Sequence, residues 1–286
     1  NENTVFTVSH PVKIEGKPLP AGRYGFHILP EKETWTLIFS KNSTSWGSFF
    51  YEPDEDALRV QVTPRKHEYR EFLTYEFTDR RPAKAVAEMQ WEDLAVAWTI
   101  EVEDINKIYL SSLQKELRTV PGFNWQSFMA ASQFVMQNRL DLNQALEWAD
   151  AAVSRPFIGQ ANFMTLSNKA MILGAMGRDE DAKKFAVQAI NHPTAAATQV
   201  HQFGRQLLRA GKSKEAMAVF QANFQKNGEG WPTHVGMARG YAALGETAKA
   251  LEHAKKALEQ APDDLNRNGL KQMIQQLTEG KPVPQD

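Results

Sequence analysis

The amino-acid sequence predicts a two-domain α+β protein: an antiparallel β-sandwich over residues 1–103, a connecting helix over 104–122, and an all-α superhelix of stacked helical hairpins over 123–280. Three observations predict it. Apolar residues recur with period 2 up to about Val102, the spacing that puts alternate side chains on one face of a sheet. From Asp104 the period becomes 3.6, as an amphipathic helix requires. Finally, Gly177, Gly211 and Gly245 are separated by 34 residues each (211 − 177 and 245 − 211).

Composition narrows the function classes. The chain has 286 residues, 42% hydrophobic and 23% charged, which suffices for two packed cores. With 33 Lys plus Arg against 34 Asp plus Glu, it carries no positive excess to neutralise nucleic acid or an anionic membrane surface. No apolar run approaches the ~20 residues of a membrane-spanning helix. Cysteine is absent, which excludes disulfides, thiolate metal sites and a cysteine nucleophile, and suits oxidising and reducing compartments alike. The start, Asn1-Glu2-Asn3-Thr4, has no export signature, so any such signal is expected to have been removed.

In the first half, Trp35, Leu37 and Phe39 share one strand face. Leu58, Val60 and Val62 share another, opposite Arg59 and Gln61, and Leu94, Val96, Trp98, Ile100 and Val102 form the longest stripe. Gly16-Lys17-Pro18, Pro20-Ala21-Gly22, Pro30, Pro53-Asp54-Glu55 and Asp79-Arg80-Arg81-Pro82 are turn signals between the runs. Short strands separated by turns predict the sandwich. Asp104 then reads as the N-cap of a helix carrying Ile105, Ile108, Tyr109 and Leu113 on one stripe, which Pro121-Gly122 ends.

Each of the three spaced glycines stands where the first helix of a hairpin must stop and turn, because positive φ is cheap only for glycine. Five residues later come Ala182, Ala216 and Ala250, small enough for close helix approach. The same register continues through Ala186 and Ala189, Phe220 and Asn223, and Ala254 and Ala257, and Pro262 closes the array. These positions resemble the tetratricopeptide repeat, giving units 163–196, 197–230 and 231–264. A weaker unit, 126–159, carries Ala145, Ala149 and Ala152 but has Leu140 where glycine is expected, and a helix over 265–277 is expected to cover the last hairpin. The resemblance implies that first-helix positions point into a concave groove: Ser167 and Met171, then His201, Arg205 and Leu208, then Val235, Arg239 and Ala242. The lysine and asparagine clamp of carboxylate-binding members is absent.

The run from Ile14 through Gly16-Lys17-Pro18-Leu19-Pro20-Ala21-Gly22-Arg23-Tyr24-Gly25-Phe26 to Pro30, then Trp35 to Asn42, Trp46-Gly47, Tyr51 and Asp56 to Val60, resembles the bacterial family named domain of unknown function 2911, found mainly in Bacteroidetes. The resemblance covers residues 1–102. It implies a sandwich that normally begins earlier, so that Asn1-Glu2 follows a missing segment and a sheet edge is expected to lack a partner. It also implies a periplasmic or cell-envelope location, and it brings no activity.

No residue constellation points to catalysis, a cofactor or a metal: there is no HExxH, no GxSxG elbow and no phosphate loop. His201 and His234 hold similar places in successive repeats and read either as ordinary repeat positions or as two groups near one groove. Asp54, Glu55 and Asp56 read as a solvated turn rather than a calcium loop. Trp46, Phe49, Phe50 and Tyr51 form an aromatic cluster that either fills an interior or offers a platform for sugars or a partner's apolar surface. The leading expectation is a non-catalytic binding or scaffold protein of the cell envelope, its groove holding an acidic protein or peptide through Arg205 and Arg239, with no nucleic acid and no membrane span. The alternatives are a glycan or small-ligand binder using the aromatic cluster and an interdomain crevice, or a hydrolase with catalytic groups on a missing N-terminal segment.

Overall fold

The computed structural model describes residues 2–284 and divides into two compact units, Asn1–Tyr109 and Leu110–Asp286. Asn1 of the Asn1-Glu2 pair lies outside the described residues.

The first unit holds two four-stranded antiparallel sheets. The strands are β1 (Thr4–Val8), β2 (Val12–Ile14), β3 (Lys17–Leu19), β4 (Gly22–Leu29), β5 (Trp35–Ser40), β6 (Asp56–Val62), β7 (Arg65–Arg81) and β8 (Lys84–Glu101). One sheet runs β1-β4-β5-β6 and the other β3-β2-β8-β7. Their inner faces share one core, with Phe26, Leu37, Phe39 and Val60 from the first sheet meeting Ile14, Met89, Val96 and Trp98 from the second. The register brings the expected faces together: Leu37 pairs with Val60, Phe39 with Leu58 and Trp35 with Val62. Leu37, Phe39, Val60 and Val62 are buried, Trp35 and Leu58 half-buried, and Arg59 and Gln61 face solvent.

Three expectations are corrected here. Leu94, which pairs with Lys66 of the edge strand β7, is exposed, although Val96 and Trp98 on the same stripe are buried. The turn expected at residues 79–82 falls at 82–83, since Arg80 and Arg81 still pair with Ala85 and Lys84. Asp104 does not cap the next helix with its side chain. It takes φ 49, and its carboxylate holds Lys107 at 2.8 Å. The edge strand β7 carries Tyr69, Phe72, Leu73 and Phe77 exposed, while Tyr75 reaches back to within 6.4 Å of Phe26 and 6.5 Å of Trp98.

Helix α1 (Ile105–Glu116) leads through a short 3-10 turn (Val120–Phe123) to four hairpins and a closing helix. The hairpins are α2 (Trp125–Gln137) with α3 (Leu142–Ser154), α4 (Phe163–Ala175) with α5 (Asp179–Asn191), α6 (Ala197–Arg209) with α7 (Ser213–Asn227), and α8 (Trp231–Ala243) with α9 (Thr247–Glu259). Helix α10 (Asp264–Thr278) packs Leu270, Met273 and Leu277 inward. First helices start at 163, 197 and 231, so the 34-residue period is also the period of the structure (197 − 163 and 231 − 197).

Local chemistry sets each turn. Gly177, Gly211 and Gly245 adopt φ 74, 75 and 78, and the following N–H (Arg178, Lys212, Glu246) donates at 2.9 Å to the carbonyl five residues back (Leu173, Leu207, Tyr241). This left-handed closure satisfies carbonyls that the helix end leaves open. Ala216, Ala250, Ala254 and Ala257 have no exposed surface, as close helix contact requires. In the first hairpin the left-handed residue is Arg139, φ 52, with Leu140 N–H donating to Val135 O, so the glycine's counterpart is Arg139 and not Leu140. That hairpin is also longer: α4 starts 38 residues after α2 (163 − 125).

Candidate functional site

The first helices place the expected groove residues unequally. Leu208 packs in the core with Phe203 and Phe220, and Val235 packs on Ala257 and Leu270. Ser167 is buried and its hydroxyl donates to Met164 O at 3.1 Å. Met171 lines a different cleft. Leu208, Val235 and Ser167 are therefore interior positions, for a physical reason: a first helix is sandwiched between its own partner and the next hairpin, so only a narrow strip reaches solvent.

Half-exposed Arg205 on α6 and Arg239 on α8 occupy that strip, and His201 is buried one turn before Arg205 on α6. The imidazole is 7% exposed, and its ring centre lies 5.7 Å from that of Phe220. Burial, reinforced by Arg239 and then Arg205, pushes its pKa down to about 3. His201 is thus neutral at ordinary pH, and both guanidinium groups lie close enough to oppose its charging. Arg239 Nη1 donates to the carbonyl of Pro284 at 2.8 Å. Glu246, at the turn before α9, pairs with Lys249 at 2.6 Å.

Pro284 belongs to the stretch after α10, a feature the sequence reading missed. Gly280, φ 68, reverses the chain and Lys281 N–H donates to Gln276 O at 2.8 Å. Val283 then fills an apolar pocket formed with Ala238, Ala250, Ala254, Met273 and Leu277 and is 8% exposed. The signal available was Gly280 with Pro282 and Pro284 after it, an order that stops a helix and stiffens the residues beyond.

His201 and His234 do not converge. His234, on α8, turns toward α9, where its Nδ1 lies 2.9 Å from His253 Nδ1 and its ring 5.3 Å from Phe224. Burial lowers the pKa of both histidines, and His234 further opposes the charging of His253 across this contact.

Two further surfaces stand out. A cleft of about 930 Å³ opens between α5 and α7, lined by Ala182, Ala186 and Val187 on one side and Ala218 and Ala222 on the other. Lys212 in its lining reaches Gly174 O and Asp179, and Lys226 reaches Ile190 O and His192 O. In the sheet unit, Trp46 and Phe49 stack at 5.7 Å and 26°, and Trp46, Phe49 and Phe50 are 53%, 80% and 70% exposed, so these rings do not fill an interior. Tyr51 is held apart from them, donating to Asp56 Oδ2 at 2.7 Å and accepting from Arg59. Asp54 is exposed in the turn before β6 and Glu55 half-buried there. Among the described residues no group of three or more His, Asp or Glu is arranged to hold a metal, and no helix is long and apolar enough to cross a membrane.

Residues 1–100 match the family model described as "Protein of unknown function (DUF2911)". Among curated proteins no relative matches. Solved structures similar to this chain include a thermophilic tetratricopeptide repeat protein from Thermus thermophilus, 20% identical over 58% of this chain and 89% of that one, TM-score 0.39. MamA is 17% identical over 53% and 85%, TM-score 0.36. YrrB, titled a tetratricopeptide repeat protein with an unusual peptide-binding site, is 14% identical over 59% and 89%, TM-score 0.34. The chain therefore joins a sheet unit that matches the DUF2911 family over residues 1–100 to a helical unit of tetratricopeptide type.

Proposed function

We propose that the helical unit is a non-catalytic protein-binding module that holds an acidic or carboxylate-bearing peptide stretch on the strip between α6 and α8. The observation carrying this reading is that Arg205 and Arg239, 34 residues apart (239 − 205), hold the same register place on α6 and α8 and are both half-exposed. Guanidinium stays charged and offers paired donors matched to carboxylate oxygens. The scaffold role in the cell envelope, implied by the family resemblance of the sheet unit, belongs to this proposal.

The test is an array of acidic and neutral hexapeptides probed with the intact chain at low and high salt. Acidic peptides are expected to be retained in a salt-sensitive way, and Arg205→Ala with Arg239→Ala to abolish retention while the thermal melt is unchanged. Loss of stability with peptide binding intact would make both arginines structural.

A second reading has its own support in the exposed, stacked Trp46–Phe49 pair, a surface suited to the flat face of a sugar. Quenching of tryptophan fluorescence by an oligosaccharide panel, lost in Trp46→Ala, would favour it, and no response to any member would remove it.

A further inference from the structure

We infer that the stretch Lys281–Pro284 is an intramolecular ligand of the peptide-binding face on α8, and that it defines the partner this face takes: an extended, proline-flanked aliphatic segment followed by an acidic residue. The inference rests on the peptide-binding reading above and specifies its ligand.

The contacts are those of a docked peptide. Val283 sits in a pocket whose room comes from small side chains, since Ala238, Ala250 and Ala254 are all fully buried there. One residue on, Pro284 presents its carbonyl to Arg239 Nη1 at 2.8 Å. The prolines on either side of Val283 fix φ near −65° and carry no N–H, so the segment stays extended and is recognised through carbonyl oxygens and the one aliphatic side chain. Little conformational entropy is lost when so stiff a segment docks, which is why proline-flanked peptides suit shallow surfaces. In the sequence Gln285 and Asp286 follow, so an acidic residue comes two positions after Pro284. That order of groups matches the acidic ligand proposed for the arginine pair.

Tethering matters as much as contact. The chain reverses at Gly280, only three residues before Val283 (283 − 280), so the segment is delivered at a high effective concentration. A partner peptide in trans must displace it, and its apparent affinity is lowered by the fraction of time the face is already filled.

The probe is a fluorescein-labelled Lys281–Asp286 hexapeptide, measured by anisotropy against the full chain, a chain ending at Gly280, and the full chain carrying Val283→Asp. Opening the face by either change is expected to tighten probe binding at least ~10-fold. Arg239→Ala in the shortened chain should abolish it. Equal binding by the full and both altered chains, with acidic peptides still retained on the array, would overturn the tail's role and leave the arginine reading standing. No binding of the probe or of any acidic peptide would sink both. If both altered chains lose their helical circular dichroism, the stretch is a structural strap and the inference fails.

Discussion

The ring of Phe220 on α7 occupies the space that a β-carbon on Gly204 of α6 would fill: a methyl group built there overlaps the ring edge. Gly236 faces the same ring from α8, where an added β-carbon would stand 2.7 Å from it. Phe220 takes the register position held by Ala186 and Ala254 in the neighbouring repeats (220 − 186 and 254 − 220 are both 34), so a large side chain on the second helix is matched by missing ones on the first. Gly204→Ala is expected to destabilise by roughly 1–3 kcal/mol through overpacking, and Phe220→Ala by roughly 3–5 kcal/mol through the cavity it leaves. The double variant should cost less than the sum, because the added methyl enters space the ring vacates. Urea unfolding of all three tests the coupling, and strict additivity would show that the two residues act independently.

The alanines of one register position are not equivalent. Ala216 and Ala250 have no exposed surface, whereas Ala182 is half-buried beside the cleft between α5 and α7. Ala216→Leu and Ala250→Leu are each expected to destabilise by roughly 1–3 kcal/mol, and Ala182→Leu by less than about 0.5 kcal/mol because the cleft can accept the added atoms. Melting curves that rank Ala182→Leu with the other two would mean that the cleft is closed in solution.

Acid is expected to destabilise the helical unit before its carboxylates titrate. His201 has a folded pKa of about 3 against an ordinary 6.5, so the unfolded chain binds the extra proton. Stability is therefore full above pH 6.5 and is lost as pH falls from 6.5 toward about 3, by up to about 1.4 kcal/mol per pH unit. His234 and His253, both lowered, act in the same direction below pH 6.5. Denaturant midpoints measured between pH 7 and pH 4.5 should fall steadily, and His201→Gln should flatten the slope. A slope identical in that variant would assign the effect to the His234–His253 pair.

Arg139→Gly is expected to stabilise by about 0.5–1 kcal/mol. Arg139 ends α2 at φ 52, where a β-carbon crowds the following carbonyl and glycine does not. The gain is limited by the greater freedom glycine has in the unfolded chain. A lowered melting temperature would mean that the arginine side chain contributes more than its backbone costs.

Much of the fold was legible because it follows from local periods. Val60 and Val62 alternate with the polar Arg59 and Gln61, and the pleat alone assigns them to the interior. Gly177, Gly211 and Gly245 mark their turns because the left-handed backbone they adopt favours glycine whatever surrounds it. Leu94 was misread because period 2 assigns it to the face of Val96 and Trp98 but does not say how far along the strand that face is covered. Trp46 and Phe49 could be read either way, since an aromatic pair is equally at home in a core and on a platform, and exposure is settled by what the loop packs against.

By itself, then, the sequence determined the order of sheets and helical hairpins, the 34-residue register, and the equivalence of Arg205 and Arg239, because each depends on residues near one another along the chain. Tertiary structure alone decided that Leu208 and Val235 turn inward and that His201 is buried and neutral. It also decided that Arg239 meets the carbonyl of Pro284, 45 residues away. Those outcomes depend on which helix lies across which, and on a glycine at 280 folding the chain back. Periodicity assigns a side chain to a face, but only packing says what covers that face and how far its charges lie from water.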